Sequence, residues 1–378
     1  MDYAIHLDEL RNSGNYRSIP NGHDDGIIDF STNDYLGLAT RRDIQADFFN
    51  SESNRMVAMT SSASRLLASN QDEYSKLEKA LADDFQRETL LFNSGYHANT
   101  GLISSLADSR TLILADRLVH ASIIDGIKLS KGKFTRFRHN DYEHLKQMLD
   151  READNYERII IVVESVYSMD GDKTDIDRIA AIKRNYDNAM LYVDEAHAFG
   201  VEGPDGLGIC RHSRYYDDVD IVVGTFGKAA ASFGAFCAVS PTIRNFAVNC
   251  ARSFIFSTAL PPISCAWTRH LLPIIKQMCP EREHLKRLSA RLSSALAEIL
   301  PPDTPVNAGH IQPVIVGNAR KVVELSRKLL DDGVKVLPIR TPTVPPGTER
   351  LRISLSATMT TDHIDKLTDA LKRNLEVV

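Results

Sequence analysis

The 378-residue sequence has few cysteines, and none of them is spaced as a pair. The five cysteines are scattered singly, without the CxxC spacing of zinc and redox sites, and their odd number argues against a disulfide framework. We therefore expect them to be reduced residues that pack in the interior. These cysteines are Cys210, Cys237, Cys250, Cys265 and Cys279.

The sequence also lacks long apolar runs and an excess of positive charge. No stretch approaches the roughly 20 apolar residues that cross a bilayer, and the N-terminus has no basic region followed by an apolar core. With 45 basic and 50 acidic residues, the net charge of −5 gives no electrostatic footprint for nucleic acid or an anionic membrane. We expect a cytoplasmic protein with no nucleic-acid or membrane partner that acts on small molecules.

The order of segments indicates an α/β fold of more than one domain. From about residue 75 to 240, helical patterns alternate with short apolar runs, which is typical of βαβ units and a mainly parallel sheet with helices on both faces. The apolar runs are 89–92, 111–115, 158–163, 190–193, 221–224 and 235–239. We predict an N-terminal helix and arm at 1–38, a large domain at 39–264, and a smaller α+β domain at 265–378 that begins with a long helix at 265–300.

Two of these runs are followed by residues that suit a carbonyl cofactor. Asp194 follows the run 190–193, so its carboxylate should lie at the C-terminal edge of a buried parallel strand, where open α/β sheets bind ligands. Lys228 follows the run 221–224 at a similar edge. A lysine amine can condense with an aldehyde, and an aspartate that faces a pyridine nitrogen keeps that nitrogen protonated. Together these residues predict a pyridoxal-phosphate site.

Two histidines follow strands at the same edge. His197 comes three residues after Asp194, and its partnership with Asp194 and Lys228 favours a site residue over a structural histidine packed beside the sheet. His120 follows the run 111–115, where its ring could stack on a flat cofactor or belong to an ordinary loop.

Donors that could bind a phosphate occur in three segments. Ser94, Gly95 and Tyr96 follow a strand and open a helical pattern, and helix N-termini favour anions. Thr225 ends another strand, and a hydroxyl pair lies at 257–258. Each segment alone is weak evidence, because Ser-Gly is also a common turn.

Charged residues at two further places invite more than one interpretation. Glu164 and Ser168 follow the run 158–163, and a carboxylate there needs a partner or a function. The segment 170–172 superficially resembles a calcium loop but lacks the alternating ligands of an EF-hand, so no metal is predicted. Arg352 alternates with apolar residues as in a strand, where it could bind a substrate carboxylate or lie on a solvated edge.

As a set, these segments resemble the α-oxoamine synthases, pyridoxal-phosphate enzymes with the aspartate-aminotransferase-like fold, fold type I. The resemblance runs from about residue 28 to 371, nearly the whole chain. It rests on the segments 30–38, 93–96, 116–122, 168–172, 193–197 and 225–228. The segments 311–317 and 339–348 further resemble the branch that serves biotin synthesis.

The resemblance implies a role for each matching residue. Lys228 would form the Schiff base, Asp194 would pair with the pyridine nitrogen, and His197 would donate to the ring oxygen. The implied catalytic residues are Lys228, His120, Asp194 and His197. The implied cofactor-binding residues are Ser94, Gly95, Tyr96, His120, Glu164, Ser168, Asp194, His197, Thr225, Lys228 and Thr258. The implied substrate-binding residues are Asn33 and Arg352.

The resemblance also implies partners. The family's sites lie at a dimer interface, so it implies a homodimer with shared active sites, in which Thr258 reaches the phosphate of the neighbouring subunit. The biotin-branch segments imply a decarboxylative condensation of L-alanine with a pimeloyl thioester on coenzyme A or an acyl carrier protein. Two alternatives stay open: a sister synthase using glycine with acetyl-CoA or succinyl-CoA, or serine with palmitoyl-CoA, and a non-catalytic partner subunit with the same fold.

Two segments depart from the family pattern. Its glycine-rich Gly-Ser-Gly-Gly-Ser stretch appears here as Thr60-Ser61-Ser62-Ala63-Ser64-Arg65. Each lost glycine reduces backbone freedom, so we expect this loop to follow a different path near the acyl entrance. The N-terminal arm is short, and its arginine-rich segment is reduced to Arg11 and Arg17.

Overall fold

Packing divides the chain into two units. The computed structural model describes residues 2–19, 26–302 and 304–375. The larger unit consists of residues 36–167 and 173–279. The smaller unit consists of residues 1–35, 168–172 and 280–378, within the described part of the chain. Neither unit is a continuous stretch of sequence.

Helices and strands alternate along most of the described chain. The strands are β1 (Ile28–Asp29), β2 (Glu88–Phe92), β3 (Thr111–Asp116), β4 (Lys133–Phe137), β5 (Arg158–Glu164), β6 (Ala189–Asp194), β7 (Ile221–Thr225), β8 (Ala235–Val239), β9 (Ile311–Ile315), β10 (Val334–Lys335), β11 (Leu337–Ile339) and β12 (Arg350–Ser354). The helices are α1 (Tyr3–Asn12), α2 (Arg42–Asn50), α3 (Glu52–Arg55), α4 (Asp72–Phe85), α5 (Gly95–Leu106), α6 (Ala121–Leu129), α7 (Tyr142–Glu152), α8 (Ile176–Lys183), α9 (Pro241–Cys250), α10 (Arg252–Ile255), α11 (Pro262–Gln277), α12 (Cys279–Ile299), α13 (Ala319–Asp331) and α14 (Thr361–Leu375).

A seven-stranded sheet forms the centre of the larger unit, in the order β2-β8-β7-β6-β5-β3-β4. Neighbouring strands from β4 to β7 are parallel, and β8 is antiparallel to both β7 and β2. Consecutive residues of a strand point to opposite faces, yet every residue of β5 from Ile159 to Glu164 is buried. Both faces of the sheet are therefore covered, and the predicted fold class is confirmed.

Apolar residues that alternate along the strands pack against α5 and α6. Ile103 of α5 and Ile123 of α6 belong to one buried cluster with Val162 of β5 and Val223 of β7. Burial of one such aliphatic side chain contributes roughly 1.5–3 kcal/mol to the stability of the fold. This packing fixes the ends of the central strands, where polar residues follow.

The smaller unit contains a three-stranded antiparallel sheet in the order β11-β12-β9, and β1 pairs in parallel with β10. After residue 310 its elements run in the order β9-α13-β10-β11-β12-α14.

The two units differ from the predicted regions 1–38, 39–264 and 265–378. The N-terminal arm belongs to the smaller unit, where β1 pairs with β10. The segment 168–172 also belongs there, and Asn307 Nδ2 donates to the Asp170 carbonyl oxygen at 2.9 Å. Helix α11 belongs to the larger unit because it packs against α4.

The long helix predicted at 265–300 is two helices in the structure. Helix α11 ends at Gln277, and α12 begins at Cys279. Pro280 has no backbone N–H to donate to the carbonyl oxygen four residues earlier, so the hydrogen-bond ladder of α11 cannot continue through it, whereas a proline is tolerated in the first turn of a new helix. The prediction of one helix is wrong because the apolar pattern continues across this break.

Within the described ranges, no helix is long and apolar enough to span a membrane. In the same ranges, no group of three or more His, Cys, Asp or Glu side chains could hold a metal ion. Cys210, Cys237 and Cys265 are buried as expected, whereas Cys250 and Cys279 are exposed because they lie at helix ends.

A side chain at Gly224 should destabilise the sheet. Gly224 of β7 lies opposite Phe236 of β8, and a Cβ built on Gly224 would be 2.3 Å from the Phe236 ring. We expect Gly224→Ala to lower the free energy of unfolding by about 1–3 kcal/mol, the usual cost of overpacking, measured by urea denaturation. The matched control is Gly227→Ala, whose Cβ would meet no atom closer than 3.9 Å. Equal losses in both variants would contradict the overpacking argument.

Candidate active site

A cleft opens where the parallel strands of the larger unit end. The strand register places Glu164, at the end of β5, beside Asp194, at the end of β6, and Thr225 ends β7. The cleft is lined by Gly95, Tyr96, Asn99, His120, Ser122, Glu164, Asp194, Ala196, His197, Thr225 and Lys228. The structure therefore brings most of the predicted cofactor-binding residues together.

The Asp194 carboxylate is buried and held by two donors. Its Oδ1 accepts from the Ala196 backbone N–H at 2.9 Å, and its Oδ2 accepts from Asn99 Nδ2 at 2.7 Å. A carboxylate has about four acceptor positions. The two bonds therefore fix the group and leave it able to accept a ring N–H from a ligand.

Asn99 is a site residue that the sequence did not single out. Its Nδ2 also donates to Ser122 Oγ at 2.9 Å, and its Oδ1 accepts from the Tyr192 hydroxyl at 2.7 Å. The only sequence signal is its position four residues after Gly95, which places both on one face of α5. Its partnership with Asp194 depends on how α5 packs on β6.

The hydrogen bonds of His120 fix its tautomer. Its Nδ1 accepts from the Ser122 backbone N–H at 3.2 Å and lies 2.8 Å from the Ser122 hydroxyl. Because Nδ1 is an acceptor, the neutral ring has its proton on Nε2. Burial lowers the pKa of His120, Asp194 opposes that shift, and Lys228 adds to it. The neutral ring can stack on a protonated pyridine without like-charge repulsion.

The Lys228 amine lies beside His197 in the cleft, with Nζ 3.0 Å from the His197 Nε2. The turn that leads to Lys228 is held by Thr225, whose hydroxyl donates to the Gly234 carbonyl oxygen at 3.1 Å. A primary amine fixed in a cleft between a helix N-terminus and a buried carboxylate can form a covalent bond with a bound aldehyde.

The N-terminus of α5 faces the end of β7. Ser94 caps the helix, since its Oγ accepts from the His97 backbone N–H at 3.2 Å, and it is not among the residues that line the cleft. A Cβ built on Gly95 would lie 3.8 Å from the Thr225 Cβ. The first N–H groups of a helix have no partner within it, and its dipole favours anions. This end of α5 can bind a phosphate, and the Thr225 hydroxyl beside it can join by turning its proton away from the Gly234 carbonyl oxygen.

The donor set of the cleft fits pyridoxal phosphate. Lys228 supplies an amine for the aldehyde, Asp194 a buried carboxylate for the ring nitrogen, and His120 a neutral ring for the pyridine face. The N-terminus of α5 supplies donors for the phosphate. Each end of the cofactor has a chemically matched group in the cleft.

Three predicted site residues, Ser168, Asn33 and Arg352, belong to the smaller unit. The Arg352 Nε donates to the Ser168 carbonyl oxygen at 2.5 Å, and Nη1 donates to Ser354 Oγ at 2.7 Å. Its Nη2 donates to Asn33 Oδ1 at 3.2 Å and to the Tyr35 hydroxyl at 3.3 Å. All four acceptors are uncharged.

This environment rules out a solvated edge for Arg352. The residue is 3% exposed, and β12 is the central strand of its sheet. Arg350, on the same strand, forms an ion pair with Asp170, whereas Arg352 has no carboxylate partner in the part of the chain that the structure describes. A buried guanidinium without a counter-ion is costly, which favours a role in binding an anionic ligand.

Thr258 lies in a separate pocket of the larger unit, not in the cleft. Its carbonyl oxygen accepts from Asn93 Nδ2 at 2.6 Å, and it forms an isolated bridge with Ser64 of the altered glycine-rich segment. Ser62 in that segment has a left-handed φ of 50°, and the Thr60 hydroxyl oxygen accepts from the Ser62 N–H at 3.1 Å. The segment thus contains a left-handed residue that is not glycine.

Comparisons with known proteins cover almost the whole chain. The family model for class I and II aminotransferases matches residues 25–371. The 8-amino-7-oxononanoate synthase of Haemophilus ducreyi is 46% identical over 381 residues, covering 97% of this chain and 98% of that protein.

Solved structures agree with this match. A serine palmitoyltransferase of S. paucimobilis with bound pyridoxal phosphate and myriocin has a TM-score of 0.89 at 27% identity, covering 100% of this chain and 98% of that one. The 8-amino-7-oxononanoate synthase of Francisella tularensis has a TM-score of 0.79 at 29% identity, covering 94% and 99% of the two chains.

Acidification should weaken the fold through His120. Burial lowers its pKa in the folded protein, so the unfolded chain takes up the proton first, and stability falls as the pH drops below the ordinary pKa of 6.5 towards the lowered one. We expect His120→Gln to lose less stability than the unaltered protein between about pH 7.5 and about pH 5.5 in urea denaturation. NMR titration of the His120 ring in cofactor-free protein is the direct check, and a raised pKa would contradict the argument.

Proposed function

The chain belongs to the aminotransferase class I and II family, in its α-oxoamine synthase branch, and is a pyridoxal-phosphate-dependent acyltransferase. From this premise we propose that it condenses L-alanine with a pimeloyl thioester, on coenzyme A or an acyl carrier protein. The products are 8-amino-7-oxononanoate, carbon dioxide and the free thiol.

The observation that supports this proposal most directly is the meeting of Lys228, Asp194, His197 and His120 in one cleft. These groups suit chemistry at the α-carbon of an amino acid. The choice of alanine and a pimeloyl thioester is supported by the 46% identical relative and by the names of the similar synthases.

Each residue then has a defined task. Pyridoxal phosphate, when bound, supplies an electron sink for a carbanion at the α-carbon. We assign cofactor attachment to Lys228, whose Nζ, once released, removes the α-proton of alanine and later returns a proton there. Asp194 holds a proton on the ring nitrogen, and the N-terminus of α5 with Thr225 binds the phosphate.

We also propose that Arg352 and Asn33 bind the carboxylate of the amino acid. Among the described residues, the hydrogen-bond partners of the Arg352 guanidinium are all uncharged. Asn33 Oδ1 accepts from both Arg352 and Tyr35. The N–H groups of the Asn33 amide therefore point away from these two donors. A guanidinium and an amide N–H are complementary to a carboxylate.

A homodimer is proposed from the family and from an exposed apolar segment next to Thr258. The exposed fractions are 81% for Met56, 65% for Met59, 51% for Leu66 and 79% for Leu67. A monomer would leave this surface in water. We expect a dimer in sedimentation equilibrium and a weaker dimer for Leu67→Glu, and a monomeric unaltered protein would refute the shared site.

A second candidate is condensation of serine with a long-chain thioester. It is favoured by the higher TM-score of the serine palmitoyltransferase structure, 0.89 against 0.79 for the synthase structure. A panel of alanine, glycine and serine crossed with pimeloyl-, acetyl-, succinyl- and palmitoyl-CoA separates the two by thiol release. Turnover with serine and palmitoyl-CoA alone would replace the proposed reaction.

Lys228 should be required for turnover. We expect Lys228→Ala to lose at least about 10²–10⁴-fold in thiol release with alanine and pimeloyl-CoA, because the amine that moves the proton is gone. Borohydride reduction should attach the cofactor to the peptide containing Lys228, detected by mass spectrometry. Lys131→Ala, an exposed lysine of the same unit, is the control and should behave as the unaltered protein. Full activity in Lys228→Ala would refute the assignment.

Arg352→Lys should weaken binding of the amino acid. Lysine cannot make the four hydrogen bonds that orient the guanidinium, so its charge would be held less precisely towards a carboxylate. We expect the KM for alanine to rise about tenfold or more, with a smaller change in kcat. The unaltered protein should prefer alanine to alanine amide, which lacks the negative charge. This preference should be smaller in the variant. An unchanged KM together with unchanged discrimination would contradict the role of Arg352.

A further inference from the structure

Tyr192 is buried in the apolar core of the larger unit, two residues before Asp194 in β6. It belongs to the same buried cluster as Ile103 and Val162. A phenylalanine could fill this space without burying a hydroxyl, and a buried hydroxyl is costly unless it is hydrogen-bonded. The Tyr192 hydroxyl has such a bond, to Asn99 Oδ1 at 2.7 Å.

The hydrogen bonds that begin at Tyr192 run in one direction. Burial raises the pKa of Tyr192 well above its ordinary value, so the hydroxyl keeps the proton that it donates to Asn99. The Asn99 amide donates one N–H to Asp194 and the other to the Ser122 hydroxyl. Because the Ser122 oxygen accepts from Asn99, its own proton is available to Nδ1 of His120, 2.8 Å away.

The network therefore branches at Asn99. One branch ends on the Asp194 carboxylate, which we assign to the ring nitrogen, and the other ends on the His120 ring, which we assign to the ring face. Asn99 uses both amide hydrogens and its oxygen, and it is 1% exposed. No water can replace a lost partner at low cost.

We propose that Tyr192 is a positioning residue of the active site, which acts through Asn99 to orient the Asp194 carboxylate and the His120 ring. Tyr192 does not line the cleft and touches no reacting atom. The inference rests on the proposed roles of Asp194 and His120 as contacts of the cofactor.

Removal of the Tyr192 hydroxyl has a defined physical effect. Asn99 Oδ1 becomes a buried acceptor without a donor, so the amide relaxes and its N–H groups hold Asp194 and Ser122 less well. Hydrogen bonds in a chain also polarise one another, so loss of the first weakens the rest. Cofactor binding should decline even though the cleft keeps its lining residues.

The pKa of His120 should change when the network is weakened, and it can be measured without any catalytic assay. The charges that act on it are Asp194, Lys228 and Asp125, in addition to burial. A weaker Asn99 bond leaves more of the Asp194 negative charge to act on His120, and a less ordered Ser122 hydroxyl stabilises the neutral ring less. Both effects raise the pKa of His120.

The test compares Tyr192→Phe with Tyr216→Phe. Tyr216 is a buried tyrosine of the same unit whose hydroxyl donates to the Phe85 carbonyl oxygen at 2.8 Å, outside the network. We expect Tyr192→Phe to raise the dissociation constant of pyridoxal phosphate about three- to tenfold over the control. In ring NMR of cofactor-free protein, the pKa of His120 should rise in Tyr192→Phe alone. Equal behaviour of the two variants would show that Tyr192 is merely structural.

A double-mutant cycle tests whether Tyr192 acts through Asn99. Asn99→Ala should weaken cofactor binding more than Tyr192→Phe, and Tyr192→Phe should add nothing in the Asn99→Ala background. Additive effects would overturn the proposal.

None of these measurements uses alanine or a thioester, so failure of the proposed reaction would not affect them. If the cofactor position itself is wrong, Asp194→Asn will leave cofactor affinity unchanged, whereas failure for Tyr192 alone leaves the Asp194→Asn effect intact.

Discussion

Burial of the Asp194 carboxylate is the constraint on which the rest of the site depends. A charge at the end of a buried strand is costly unless donors surround it, and Ala196 and Asn99 provide them. Because Asn99 lies on α5, that helix must pack against β6, and its N-terminus then falls beside Thr225 at the end of β7. One helix thus satisfies the carboxylate at one end of the cleft and creates the anion site at the other.

The sequence alone predicts those parts of the site that follow from single strands. Asp194, His120 and Lys228 each come after a short apolar run, and parallel strands end at the same edge, so their meeting could be predicted. Asn99 could not be predicted, because its contact with Asp194 depends on the rotation of α5 over the sheet. In the sequence, Tyr192 is indistinguishable from the other residues of the apolar run 190–193, because hydrophobic periodicity does not show what its hydroxyl contacts.

Other features depend on neighbours that the chain order does not reveal. Strand β4 escaped prediction because it lies at the edge of the sheet, beside β3, and is mostly exposed, so it has no continuous apolar run. For Arg352, the local alternation allows either a solvated or a buried strand, and only the central place of β12 decides between them. The resemblance implies Ser168 as a cofactor-binding residue, whereas the contact that the structure shows is between its carbonyl oxygen and Arg352 Nε.

Each unit is built from separate stretches of the sequence, and this affects the order in which the chain can fold during synthesis. The ribosome delivers Ile28–Asp29 first, and their partners Val334–Lys335 follow about 300 residues later in the chain. The smaller unit therefore cannot complete this pairing until Val334–Lys335 are made, whereas all strands of the central sheet are available by residue 239. Strand β1 of the nascent chain therefore stays unpaired while all strands of the central sheet are synthesised.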